Sequence, residues 1–341
     1  MNNNPKRSGI RIALDAMGGD FAPTETVKAA VQAAQHNDVH IKLVGDKQLL
    51  NNELSKYDVK ALTIDVIPSE GRIEEGGQPV LALRQNPSAS ISIATRLVKE
   101  GDADVVVSMG STGATMACAT LMLGLFGGLG RPAIGGHFHG LAPKTVVMDM
   151  GSIVDARPDQ LLSCAILGQV FSNQYLEIPN PRIAVLSIGS EEGKGNRLTK
   201  QSFKLFKSTP INFVGNVEGM DLFTNKADVI VCDGFVGNVL LKFTHGLGIA
   251  LSKFLETRLD GLIAADKINN LTQEVIELHD ATRRIGGPLF GVNHPVIIGH
   301  GSSNAQGISG VISTAIRVVD LKLIDSMKKA ISQLNADEKT A

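Results

Sequence analysis

Short runs of aliphatic and β-branched residues alternate along this chain with longer stretches in which apolar positions recur every three or four residues. The short runs predict strands at Ile10–Leu14, Ile41–Val44, Leu62–Ile67, Val105–Ser108, Val146–Met150, Ile183–Ser187, Val229–Cys232 and Val296–Ile298, with a shorter one at Ile211–Val214. The longer stretches predict helices over Thr24–His36, Lys47–Tyr57, Ser88–Glu100, Ala114–Phe126, Pro158–Gln174, Leu198–Lys207 and Ala305–Ile331. Such alternation marks parallel βαβ units, whose crossovers place helices on both faces of a sheet. The expected fold is therefore α/β: a three-layer α/β/α sandwich with a mostly parallel sheet, one large domain over residues 8–331.

Two segments break the rhythm. Ser69–Pro79 is a polar, glycine-rich loop of a length that usually serves function or mobility. Residues 239–284 read as two consecutive helices, Val239–Ile263 and Leu271–Arg284, with no strand between them, which predicts a projecting helical hairpin. Residues 335–341 are expected to fray. The uncharged stretch Val105–Gly130 is long enough for a membrane span, but its glycine turn and hydroxyls fit a strand, a turn and a buried helix better.

Five predicted strands run into small or polar loops: Asp15–Asp20, Gly110–Gly113, Gly189–Asn196, Asp233–Asn238 and Gly299–Asn304. In an open α/β sheet these ends share one edge, where ligands bind. Each loop opens a helix with unpaired N–H groups, glycine admits close backbone approach, and Ser, Thr and Asn add donors, so the set suggests a ligand carrying phosphate. One such loop merely turns a corner; five together, with Lys194, His300, Ser302 and Ser303 among them, point to a site. The common nucleotide motifs are absent: Gly189–Asn196 lacks the P-loop hydroxyl, and no Gly-x-Gly-x-x-Gly follows the first strand.

Composition narrows the partners. With 33 Lys+Arg against 34 Asp+Glu and 4% aromatics, the chain has neither the field nor the stacking surface for nucleic acid. Cys118, Cys164 and Cys232 are too few and scattered for a disulfide framework, which suits a reducing cytoplasm, and the polar N-terminus has no signal-peptide core. Cys118 and Cys164 read as core. Cys232 has no basic neighbour to stabilise a thiolate and reads the same way. His137 and His139 read as a surface loop, and Asp15 with Asp20 lack the third carboxylate a metal would want, so no metal is expected.

The motif Asp15-Ala16-Met17-Gly18-Gly19-Asp20 after an N-terminal strand resembles the opening signature of the bacterial phosphate acyltransferases, the acyl-carrier-protein:phosphate acyltransferases of phospholipid synthesis. Further matches follow in order at Gly189–Asn196, Phe213–Gly219, Val231–Asn238, Gly286–Asn293 and His300–Gln306, so the resemblance spans about Ile10 to Ala330. It implies an isopropylmalate dehydrogenase-like or phosphotransacetylase-like sandwich that moves a fatty acyl group from acyl carrier protein to inorganic phosphate. It further implies a homodimer, no cofactor, and a cytoplasmic enzyme peripherally associated with the membrane, with a downstream membrane acyltransferase as a further partner. The chain departs from the family pattern at Ser111, Ile153, Ile285 and His294.

On this resemblance the catalytic residues are Lys194, His300, Asp233 and Asn238. The residues expected to bind phosphate or substrate are Asp15, Gly18, Gly19, Asp20, Gly110, Ser111, Thr112, Gly113, Asn196, Gly301, Ser302, Ser303 and Asn304. Lys194 would offset the phosphate charge, His300 would protonate the leaving thiol, and no acyl-enzyme is expected. Lys200, Lys204 and Lys207, or Arg283-Arg284, could dock an acidic carrier. The rival readings are an acyl-CoA-dependent phosphotransacetylase, a metal-dependent hydroxyacid dehydrogenase and a non-catalytic anion-binding regulator.

Overall fold

The computed structural model describes residues 9–340 except 75, 77, 128 and 280–285. They form two compact units, the first within 1–126 and 283–324, the second within 127–282 and 325–341.

The sheet of the first unit contains β1 (Ile10–Asp15), β2 (Val39–Gly45), β3 (Ile64–Pro68), β4 (Val105–Ser108), β10 (Gly287–Phe290) and β11 (Val296–Ile298), in the order β3-β2-β1-β4-β11-β10. All pairs are parallel except β10 with β11. The strand interiors are fully buried: Ile12, Leu14, Val105, Val106 and Val107 have no exposed surface, which is why they read as continuous apolar runs. The helices are α1 (Thr24–His36), α2 (Lys47–Leu54), α3 (Pro79–Gln85), α4 (Ser90–Lys99), α5 (Thr112–Cys118) and α10 (Ala305–Asp320). α1 packs on α10, and α4 packs on β1, β2 and β4.

In the second unit the sheet order is β5 (Ala133–His139), β6 (Ala142–Met148), β9 (Val229–Val231), β7 (Ile183–Leu186) and β8 (Phe213–Val217). Only β5 and β6 are antiparallel. Its helices are α6 (Pro158–Gln174), α7 (Arg197–Ser208), α8 (Gly234–Leu259), α9 (Ala265–His279) and the greater part of α11 (Leu323–Thr340). Helices cover both sides of a mostly parallel sheet, the expected three-layer sandwich.

Several elements differ from the sequence expectation. His137 lies in β5 rather than in a surface loop, with Nδ1 2.7 Å from the Pro143 carbonyl and its ring edge-on to Phe171 and Tyr175. The glycine pair Gly135-Gly136 masks this strand in the sequence; a side chain at Gly135 would collide with Met148 on the paired strand. The helix expected over Ala305–Ile331 is two helices, α10 and α11, broken at Lys322 (φ +49°). α11 continues to Thr340, and Asn335 Nδ2 donates to the Gly127 carbonyl at 3.0 Å, so residues 335–340 of the segment expected to fray are helical. Val105–Gly130 contains β4, α5 and a π turn at Ala119–Leu123.

The hairpin is present as α8 packed along α9, but α8 begins at Gly234, inside residues that read as a loop. Gly234 and Gly237 serve packing rather than turning. A Cβ at Gly237 would strike the Asp149 carbonyl, and one at Gly234 would lie 2.8 Å from Ile153 N.

Candidate active site

The parallel register of the first unit sets three loop origins side by side. Asp15 pairs with Ser108, and Ser108 with Ile298, so the chain leaves β1, β4 and β11 at adjacent points on one sheet edge. Asp15 is 3% exposed and Ser108 not at all. Ser108 Oγ donates to Asp15 Oδ2 at 2.7 Å and accepts the Gly110 N–H at 3.0 Å; Met17 N donates to Asp15 Oδ1 at 3.3 Å. Burial pushes the Asp15 carboxyl up, partly offset by the Ser90 and Ser108 hydroxyls and the N–H groups of Met17 and Gly18. Asp15 is thus a buried anchor that ties two loops together.

Backbone contacts lock the third loop to these two. Asp20 N donates to the Gly301 carbonyl at 2.8 Å. A Cβ on Gly18 would sit 2.6 Å from Gly110 N, so glycine is what permits this approach. Gly19, at φ +99°, lies against Gly301, where a Cβ would be 3.2 Å from the carbonyl oxygen.

The donors of this edge are unevenly committed. Ser111 caps α5, its Oγ accepting Ala114 N at 3.3 Å, while the N–H groups of Ser111, Thr112 and Gly113 meet no acceptor among the described residues. At the other loop more donors are taken. Ser302 N donates to His300 Nδ1 at 3.2 Å, Ser303 N to the His300 carbonyl at 3.0 Å, and Gly307 N to the capping Asn304 Oδ1 at 3.0 Å. Ala305 N is held by Glu25 Oε2 at 2.6 Å, an internal carboxylate at the start of α10. Because Nδ1 of His300 accepts an amide, the proton of the neutral ring sits on Nε2. Ser302 Oγ also lies 2.9 Å from Nδ1.

The second unit repeats the arrangement with a different anchor. β6, β9 and β7 pair so that Met148, Val231 and Val185 stand abreast, and the chain leaves them together. The next residue after β6, Asp149, is fully buried. Its carboxylate accepts from Ile134 N at 2.9 Å, Gly151 N at 3.2 Å, Ser152 N at 3.1 Å and Ile153 N at 2.6 Å. Burial nonetheless pushes its pKa up, with these N–H groups opposing. The Ile153 carbonyl takes the Gly234 N–H at 2.8 Å, and Asp233 caps α8 by accepting Val236 N at 2.8 Å.

A cavity of about 430 Å³ opens beside these residues, lined by the apolar Leu161, Val185 and Cys232 and by the polar Asn196, Thr199 and Asp233. Asn196 caps α7, its Oδ1 accepting Thr199 N at 2.9 Å. The loop before it is pinned by Asn216 Nδ2 on the Glu191 carbonyl at 2.9 Å, and Lys194 projects from that loop into solvent. Asn238 is exposed on α8 over Gly151, whose Cβ would stand 3.5 Å from the Asn238 side chain. Cys232 is buried and its thiol pKa is pushed far up, by burial first and then by Asp233 and Asp149, so it is not a nucleophile at neutral pH. Among the described residues no three His, Cys, Asp or Glu side chains cluster as a metal site.

The first unit therefore brings Asp15, Gly18, Gly19, Asp20, Gly110–Gly113 and His300–Asn304 to one edge. The second gathers Asn196 and Asp233 around its cavity, with Lys194 and Asn238 on the flanking elements. Sequence reasoning missed Ser108 and Asp149, both strand-end residues. Their only sequence signal is a polar side chain closing an apolar run.

The sequence profile of the fatty acid synthesis protein family matches residues 10–326. A phosphate acyltransferase of Desulforamulus reducens is 41% identical over 94% of this chain and 97% of its own length. One from Moorella thermoacetica is 42% identical over 93% and 95%. Among solved structures, a phosphotransacetylase from Streptococcus pyogenes superposes with a TM-score of 0.62 at 17% identity, covering 93% of this chain and 94% of that one, a likeness of fold.

Proposed function

The chain belongs to the phosphate acyltransferase family, and from that premise we propose that it moves a fatty acyl group from acyl carrier protein to inorganic phosphate. The observation that carries this reading is the first unit's edge, where the N–H groups of Ser111, Thr112 and Gly113 meet no acceptor among the described residues, on a backbone locked by Asp15 and Ser108. Those groups would hold phosphate oxygens, with Gly301 and Asn304 as lesser donors.

A phosphate oxygen attacks the thioester carbon, the C–S bond breaks, and the leaving thiolate takes a proton. A thiol of pKa about 8.5 leaves readily and needs only modest acid assistance, the role assigned to His300. Lys194 is the cation assigned to the transfer step, Asn196 and Asp233 cap the helices α7 and α8 beside the cavity, and Asn238 is assigned to the same site. Direct transfer asks for no acyl-enzyme, consistent with the buried thiol of Cys232.

An acidic carrier suits α7, whose Arg197, Lys200, Lys204 and Lys207 are all exposed; among the described residues only Lys207 is ion-paired, to Glu192 at 2.9 Å. Arg283-Arg284, the other candidate patch, lies outside the described residues. α8 is long and apolar enough to cross a membrane, yet Asp233 caps it at the sheet edge. Its exposed Phe243, Ile249 and Phe254 would instead be covered by a second copy, and the exposed tip residues Leu262 and Ile263 would touch a membrane surface peripherally in a cytoplasmic enzyme.

The deciding assay is phosphate-dependent thiol release from acyl carrier protein and from acyl-CoA. Faster release from the carrier is expected. Preference for CoA would make the protein phosphotransacetylase-like, and no phosphate dependence with either donor would leave an anion-binding protein without chemistry.

A further inference from the structure

The loop between β3 and α3 is fastened at its base, where Ser69 N donates to the Gly45 carbonyl at 2.9 Å and Glu70 N to the Ser88 carbonyl at 2.8 Å. Beyond that base, Arg72 turns back over the first unit's edge. Its Nε donates to Glu74 Oε1 at 2.8 Å, and its Nη1 reaches the Gly19 carbonyl at 3.4 Å. The guanidinium pKa is raised first by the Glu74 hydrogen bond and then by the fields of Glu74, Asp15 and Asp20, which places it within electrostatic reach of the anchored loop.

Glu74 also lines a cavity of about 230 Å³, walled by Ile73, Glu74 and Pro79 on one side and by Ser111, Thr112 and Gly113 on the other. At about 30 Å³ per water, that volume accommodates a tetrahedral oxyanion with a few waters. The donors facing it are neutral, while Asp15, Asp20 and Glu74 set three carboxyl groups nearby. A dianion entering there needs a cation; the Arg72 guanidinium is not itself part of the lining but is hydrogen-bonded to Glu74, which is.

We propose that Arg72 is a phosphate-binding residue held in reserve by Glu74, and that phosphate entering this cavity replaces Glu74 as the partner of the guanidinium. The fork of Arg72 then closes on two phosphate oxygens while the Ser111–Gly113 amides take the others. Glu74 sets the affinity by competing for the same fork. This rests on the reading of phosphate as acyl acceptor.

The test is the phosphate dependence of thiol release, at saturating acyl thioester, for wild type, Arg72→Gln, Arg72→Lys and Glu74→Gln. Arg72→Gln should raise the phosphate KM about tenfold or more, since a charge-assisted bidentate contact is lost. Arg72→Lys should fall between, keeping charge without the fork. Glu74→Gln should lower the phosphate KM about two- to threefold, because the competitor is gone. The KM for the acyl donor and the Tm should stay put in all three, since exposed pairs contribute little to stability. An unchanged phosphate KM in Arg72→Gln, or a shift of Arg72→Gln and Glu74→Gln in the same direction, overturns the inference while leaving the acyltransferase reading intact. Wild-type thiol release that does not depend on phosphate overturns both.

Discussion

Asp15 closes β1 and Asp149 follows directly on β6, each where a strand gives way to its loop, yet their surroundings differ in kind. Asp15 is held by the Ser108 hydroxyl and by loop amides, and the neighbouring Ser111–Gly113 amides meet no acceptor among the described residues. Asp149 accepts from four backbone N–H groups, and the next donor along, Gly234 N, is spent on Ile153. A side-chain anchor leaves backbone donors for a ligand; an all-backbone anchor consumes them to build a wall. On the proposed reading the first unit holds the oxyanion, while the second walls a cavity.

If that contrast is right, the largest effect falls on the wall. Asp149→Ala should cost about 3–5 kcal/mol in urea unfolding, because several buried N–H groups lose their acceptor together. Asp15→Ala should cost less, about 1–3 kcal/mol, and equal losses would erase the distinction. Next, Lys194→Ala should lower kcat/KM about a hundredfold with little change in Tm, the scale of one transition-state contact removed. Near wild-type kinetics would remove Lys194 from the site. Ser108→Ala should then raise the phosphate KM about tenfold, since Gly110 and Asp15 lose the hydroxyl that joins them, with a stability loss of about 1 kcal/mol.

Smaller still is the pH dependence. Both folded carboxyls titrate above the unfolded value of about 3.9, so between the two values the native chain binds more protons than the unfolded one. Stability therefore falls as pH rises through that window, and Asp15→Asn or Asp149→Asn should each flatten the fall in a series of urea melts. Least of all, Cys232→Ala should keep most activity; an acyl group trapped on Cys232 would contradict direct transfer.

The framework was legible because buried parallel strands leave unbroken apolar runs, and all of β1, β4, β7, β9 and β11 coincide with them. The β5–β6 hairpin was hidden by Gly135-Gly136, which report close contact with Met148 rather than a turn. The start of α8 was hidden for the same reason, since Gly234 and Gly237 are small where the helix lies on the Asp149 loop. The glycine loops were readable as a set. Their polar residues were harder to assign: Ser111, Asn196, Asp233 and Asn304 each cap a helix, which uses an oxygen that looked available for ligand. Ser108 and Asp149 act through partners distant in sequence, such as Asp15 and Ile134, and only pairing of the strands reveals them.

The course of α8 has a mechanical consequence. Its root, Asp233 and Val236, forms part of the cavity lining, and its 26 residues extend about 39 Å as one rod. The returning α9 is pinned near its end, with His279 seated on Gly248 and the Leu278 carbonyl taking the Gly140 N–H at 2.8 Å. Those contacts fasten the hairpin partway along its length, so the exposed Leu262 and Ile263 stand at the free end of a helix whose other end lines the chamber.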